Sequence, residues 1–300
     1  MRNRNVFYFI TITYLLSWTL AGLSYLAGVR YNTPASFAVT IGYMYVPMIV
    51  AILLQKGLLK EPLIKPLGLS FRLNPWWLLA WLLPPAVSFA TIGVSLTFPT
   101  VHYSPQMAGL LERFSSILPS EQMEEVERQI ETTPIHPLWI GLLQGLIAGP
   151  TINAVAGFGE ELGWRGFLQK ELGEMGFRRA SITIGFIWGL WHAPIIAQGH
   201  NYPDHPLIGV LMMVVWCILL APIFGFVRLK TGSVIAVSVL HGSLNATAGL
   251  ALMVVEGGSD LLIGVTGLAG CSVLLLVNIL LWIFDRFLSS LPVMSASVSP

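Results

Sequence analysis

Glu160, Glu161 and Arg165 stand in the run GEELGWRGFLQKEL, which begins at Gly159 beside a long apolar segment. Later apolar segments add His192, His241 and Asn245. A charge at membrane depth costs at least a few kcal/mol, so a chain keeps such groups where they pair, line a polar cavity or do chemistry. Two acids, a guanidinium, two imidazoles and an amide on separate apolar segments point to one buried polar site. Spacing alone does not choose the reaction. Intramembrane acids and histidines are equally the parts of a proton pathway or transporter, and a noncatalytic scaffold on an enzyme-like fold is a third reading.

The elements that must position these residues are membrane helices. Of 300 residues, 55% are hydrophobic and only 10% charged, against roughly a quarter charged in soluble domains; mean hydropathy is +0.73. A bilayer crossing needs about 20 apolar residues. Eight segments qualify: Val6–Gly28, Ser36–Gln55, Trp76–Phe98, Leu138–Gly157 with a polar continuation, Ala180–Gly199, Leu207–Val227, Gly232–Val254 and Leu261–Trp282. None alternates with period two, as barrel strands would. The expected fold is all-α, a polytopic membrane bundle of about eight transmembrane helices. Residues 1–290 form a single integral-membrane domain with its motifs within 138–254, and 291–300 form a flexible tail. The stretch after MRNRN exceeds a usual signal-peptide core of roughly 7–15 residues and reads as a retained first span.

Basic residues collect at alternate loops: Arg2 and Arg4; Lys56, Lys60, Lys65 and Arg72; Lys170, Arg178 and Arg179; Arg228 and Lys230; Arg286. The opposite loops carry Arg30, then Arg113 and Arg128 diluted by acids, then Asp204, Glu256 and Asp260. The positive-inside rule therefore places both termini in the cytoplasm of a multi-pass protein of the cell membrane. A net charge of +1, with no basic run, gives no sign of nucleic acid.

Depth and facing agree for the polar residues. The fourth and fifth segments form a hairpin turning near Met175–Gly176, with Glu160 and His192 each roughly 24 Å from that turn at 1.5 Å per residue. His241 and Asn245 lie roughly 16–22 Å above the next turn on the same side, near Lys230. They are an i,i+4 pair sharing one helix face. Glu161 and Arg165 are also i,i+4, the acid first, the favourable order for an ion pair. Glu160 is turned about 100° from Glu161, so one carboxylate can face a cavity while the other holds Arg165. Gly157 and Gly159 allow bending or close packing, and Pro150 is expected to kink the fourth helix.

These residues resemble the CPBP family of intramembrane proteases, also called the CAAX-prenyl-protease or abortive-infection family. Its motifs are EExxxR, FxxxH and Hxxx[NB]; the chain has Glu160-Glu161-xxx-Arg165, Trp188-xxx-His192 and His241-xxx-Asn245. The resemblance covers about 138–254. It implies an intramembrane endopeptidase in which Glu160 is the general base that activates water, with His192 helping to hold that water. His241 and Asn245 would be the oxyanion-stabilising pair, and Glu161 and Arg165 support that fixes the helix and orients Glu160. Trp188 stands where the pattern has Phe; both are large aromatics, so little consequence is expected. Such hydrolysis needs a base, donors for the oxyanion and a proton for the leaving amine. It requires no cofactor. Glu160, His192 and His241 could alternatively hold a divalent metal such as zinc with an open position for water, although the HExxH clamp is missing. The implied partners are the lipid bilayer and a peptide or protein substrate entering from the membrane or the cytoplasmic side.

The loop from about Pro99 to Pro137 is expected to hold a short helix capped by Ser120, with Met123, Val126 and Ile130 on one face and acids on the other. His102, His136, His200 and His205 read as solvated loop residues, with adventitious metal binding at the last two as the alternative. Cys217 and Cys271 read as small core residues, and Trp76 and Trp77 as interfacial anchors.

Overall fold

The computed structural model describes residues 2–29, 33–115 and 118–294. The chain is an all-α membrane bundle. Its elements are α1 (Arg2–Leu26), α2 (Pro34–Leu53), α3 (Trp76–Ser95), β1 (Val101–Tyr103), α4 (Ala108–Ser115), α5 (Ser120–Thr132), α6 (Pro137–Ala148), α7 (Ala154–Glu161), α8 (Phe177–Trp191), α9 (Ala193–Ile196), α10 (Pro206–Thr231), α11 (Val234–Thr247), β2 (Val255–Gly257) and α12 (Leu268–Phe287), with shorter turns between them. Starts and stops follow local chemistry. Thr33 caps α2 by accepting the Ser36 N–H, and Ser233 caps α11 through Ala236. Gly232, at φ 65°, ends α10.

Among the described residues, seven helices are long and apolar enough to cross a membrane. The expected fifth crossing is the exception. It is divided into the 15-residue α8 and the single turn α9. At 1.5 Å per residue α8 reaches about 22 Å, short of a hydrocarbon core of about 30 Å. Pro194 supplies no N–H to continue the ladder, and the His192 N–H turns to Gly189 O at 3.2 Å.

The fourth crossing is one helical run, Pro137–Glu171, of 35 residues. Two π-helical stretches interrupt it, Gly149–Asn153 around Pro150 and Leu162–Leu168 directly after Glu161. Such wide turns occur often at functional sites because they re-aim side chains. Gly157 and Gly159 let this run sink between two neighbours. A Cβ on Gly157 would lie 3.1 Å from the His241 Cβ, and one on Gly159 would lie 2.7 Å from Met44 O. Small residues at such crossings let membrane helices approach closely.

The loop after α3 is tied down by a two-stranded antiparallel ladder, Val101 opposite Gly257 and Tyr103 opposite Val255; the sequence pattern showed no strand there. The expected helix in this loop is α5, with Met123 buried beneath it. Ser120 does not cap it: Pro119 occupies the cap position and no side chain accepts from the first turn. At the other end, residues 291–294 are held rather than loose. The Asp285 carboxylate accepts the N–H groups of Val293 and Met294, and Lys230 lies 3.1 Å from the same carboxylate. Burial of Met294 completes the contact. The remainder of the expected tail, and Arg30, lie outside the described residues.

Candidate active site

Glu160 is the last residue but one of α7 and is 3% exposed. Its Oε2 accepts the Trp188 indole N–H at 2.7 Å. Its Oε1 lies 4.0 Å from His241 Nε2. The tryptophan is therefore not an idle replacement for phenylalanine, as the residue types had implied, because a phenyl ring has no donor to offer. Trp188 fixes the rotation of the Glu160 carboxylate.

Glu161 holds two partners, one of them not named from the sequence. Arg165 Nη1 donates to both of its oxygens at 3.1 Å, and His241 Nδ1–H donates to Oε1 at 2.7 Å. Glu161 thus orients His241. The expected ion pair is present, fully buried, and the Arg165 guanidinium lies between two rings, 4.2 Å from the Trp188 centroid and 4.5 Å from that of Phe224. A planar, weakly hydrated cation suits such stacking. Arg165 therefore supports both arms of the site, Trp188 by stacking and Glu161 by charge.

His192 occupies the break between α8 and α9. Because its N–H turns to Gly189, the Trp188 carbonyl is left to accept the ring Nδ1–H, at 2.8 Å. A carbonyl can only accept, so the neutral ring carries its hydrogen on Nδ1 and presents a bare Nε2. The next freed carbonyl, Trp191 O, receives Tyr43 Oη–H at 2.6 Å and Trp18 Nε1–H at 3.1 Å. The helix end is thereby secured by side chains from α1 and α2.

Glu160, His192, His241 and Asn245 all line one cavity of about 310 Å³. Glu161 and Arg165 lie behind its wall. Residues that the sequence reading did not assign to the site also line it: Thr40, Tyr43 and Met44 from α2, His200 and Asn201 beyond α9, and Val265 and Thr266 before α12. His200 is half-buried in this lining rather than freely solvated, and desolvation pushes its imidazole down to about 4. His205 is instead paired with Asp260 at 2.7 Å, and His136 caps α6 by accepting the Leu138 N–H. Tyr43 and Thr40 carried no sequence signal beyond being polar atoms in an apolar span.

Among the described residues, no three His, Cys, Asp or Glu side chains converge closely enough to hold a metal ion. Glu160, His192 and His241 do not make such a group although all three line the cavity, and both cysteines are buried and free, as core residues. A buried carboxylate facing an imidazole, with a second imidazole and an amide on the same wall, can take a proton from water and donate hydrogen bonds to a developing anion.

Residues 135–247 match the family described as Type II CAAX prenyl endopeptidase Rce1-like. That span holds all three motifs and ends two residues after Asn245. No curated protein matches the chain.

Proposed function

We propose, from the premise that this membrane protein is a protease of the type II CAAX prenyl endopeptidase Rce1-like family through residues 135–247, that Glu160 activates the water that hydrolyses its substrate. The carrying observation is the convergence of Glu160, His192, His241 and Asn245, from three separate helices, on one cavity.

The division of labour follows from the hydrogen bonds. Glu160 Oε2 is occupied by Trp188, so Oε1 is the oxygen that takes a proton from water. His192 offers a bare Nε2 that accepts the second hydrogen of the same water. The resulting hydroxide adds to the peptide carbonyl carbon. His241 Nδ1–H is committed to Glu161, so this ring donates from Nε2 only as an imidazolium. Glu161 is balanced by Arg165, which leaves one proton to the Glu160–His241 pair. With that proton on His241, the site holds a carboxylate base and a cationic donor together. The oxyanion receives hydrogen bonds from His241 Nε2–H and the Asn245 amide. As it collapses, Glu160 passes its proton to the amine nitrogen and the C–N bond breaks. Water and peptide become an acid and an amine, with Glu160 regenerated.

No step requires a metal, and chelation is expected to leave the activity intact. The charge asymmetry of the loops supports an orientation with both termini in the cytoplasm. The family description names prenylated CAAX peptides as substrates, so these form one arm of the test. Purified wild-type and Glu160→Gln proteins are to be incubated with a farnesylated CAAX peptide and with unprenylated peptides taken from membrane spans. Wild type is expected to release product, and Glu160→Gln to be about 10²–10⁴-fold slower while remaining monodisperse. Equal rates remove Glu160 as the base.

A further inference from the structure

Part of the catalytic cavity has a purely apolar wall. Met213 and Trp216 of α10, Leu244 of α11 with Ala248 at its end, and Val265 before α12 build it. We infer that Met213, Trp216 and Val265 choose the substrate by one side chain next to the scissile bond. They admit an aliphatic chain and refuse a charged one, and Trp216 sets the largest size that fits. This rests on Glu160, His241 and Asn245 acting as proposed above.

The helices place this wall beside the chemistry. A Cβ on Gly189 would stand 2.5 Å from the Val214 Cα and 3.1 Å from Met213 O. α8 and α10 therefore touch next to Trp188, and Met213 stands at that contact. Trp216 is three residues on, on the same face of α10. On α11, Leu244 precedes Asn245, and Ala248 lies three residues past it on the same face. A peptide carbonyl held by His241 Nε2–H and the Asn245 amide thus has the apolar wall as its neighbour. A side chain flanking the bond falls against it.

The wall has nothing to give a polar side chain. The carbonyls of Val265 and Thr266 already accept Trp216 Nε1–H and Tyr202 Oη–H, both at 2.7 Å. A charge placed there loses its hydration without replacement.

One side of the wall is fixed and the other adapts. The indole hydrogen bond pins Trp216 to Val265. Val265 has no room to retreat, because a Cβ on Gly270 of α12 would already overlap the Val265 carbonyl; a glycine alone permits that approach. Met213 differs. It is an unbranched thioether whose Sδ meets Cys217 Sγ at 3.7 Å, and such a chain shifts to fit its neighbour. Branched and straight aliphatic groups are both accommodated, and a large ring meets Trp216.

The inference is tested on the full-length protein. New peptide ends are mapped in cells carrying wild-type or Glu160→Gln protein, and the residues on both sides of every Glu160-dependent cut are identified. Aliphatic residues are expected to dominate at one position beside the cut. Synthetic peptides spanning a mapped cut, with Ala, Leu, Phe or Lys at that position, are then given to purified wild type, Trp216→Ala and Ala248→Phe. Wild type is expected to favour Leu over Phe by about 10-fold or more in kcat/KM, and over Lys by about 100-fold or more. Trp216→Ala is expected to raise the Phe-to-Leu ratio by about 10-fold or more. Ala248→Phe fills the same space from the end of α11, so it is expected to lower the Leu-to-Ala ratio by a similar factor. Ala248 is only partly buried, so this variant decides the matter if Trp216→Ala fails to fold. Charged residues accepted on both sides of the cut, or ratios unchanged in a folded variant, overturn the inference while leaving the catalytic role of Glu160 intact. A wild-type pattern of cuts from the Glu160→Gln protein instead removes the catalytic reading, and this inference with it.

Discussion

Trp188 donates its indole N–H to Glu160 Oε2 at 2.7 Å. Through this bond the second motif of the chain positions the first. A hydrogen bond to a charged group contributes about 1.5–3 kcal/mol. Trp188→Phe keeps an aromatic ring over Arg165 and loses only the donor. It is expected to lower kcat by about 10–100-fold, at about 1.4 kcal/mol per decade, with the melting temperature changed little. An unchanged kcat would show that the indole merely fills space.

Glu161 and Arg165 form a unit that holds His241. Glu161→Gln leaves the guanidinium without its counter-charge and the imidazole without its carboxylate. It should lose activity and about 3–5 kcal/mol of stability. Arg165→Lys is expected to fail as a rescue, because an ammonium neither spans both oxygens nor stacks between Trp188 and Phe224. Thermal unfolding measured beside turnover separates the outcomes. Wild-type stability with lost activity would assign Arg165 to the chemistry itself.

Asn245 tests the oxyanion assignment. An oxyanion donor acts on the transition state more than on the bound substrate, so Asn245→Ala should reduce kcat by about 10²–10³-fold with KM nearly constant. A rise in KM at constant kcat would make Asn245 a substrate-binding residue.

His200 gives a pH signature. Its imidazole is pushed from 6.5 down to about 4 by burial, so the unfolded chain binds more protons between those values. Stability therefore rises with pH across that window and is lost as pH falls from about 6.5 towards 4. Replacing His200 by Gln is expected to flatten this part of a melting-temperature profile. Identical acid sensitivity in both proteins would contradict the burial of this ring.

Gly159 tests the packing that aims Glu160. A Cβ there would stand 2.7 Å from the Met44 carbonyl oxygen of α2, so α7 must move outward. Gly159→Ala is expected to cost about 1–3 kcal/mol and to lower kcat by shifting its neighbour. Normal stability and turnover would mean that the two helices separate without consequence.

Much of this site was legible from the chain. Helical periodicity and span length put Glu160, His192 and His241 at one depth, because rise per residue is fixed and the basic loops mark the turns. The i,i+4 spacings gave the Glu161–Arg165 pair and the shared face of His241 and Asn245. Three things were not legible. The role of Trp188 depends on a donor direction that a motif letter does not carry. The Glu161–His241 hydrogen bond depends on the depth to which Gly157 admits α11. His200 looked like a loop residue because hydropathy records the neighbours along the chain and not those across a cavity.

Composition and spacing by themselves determined a membrane helix bundle and named the polar residues that meet at one cavity, because these follow from local geometry and the cost of charge in lipid. Only tertiary structure decided which partner each polar atom took, and that α2 and the segment before α12 complete a cavity extending beyond residues 135–247. Those outcomes depend on contacts between residues far apart in the chain, set by how closely the helices pack.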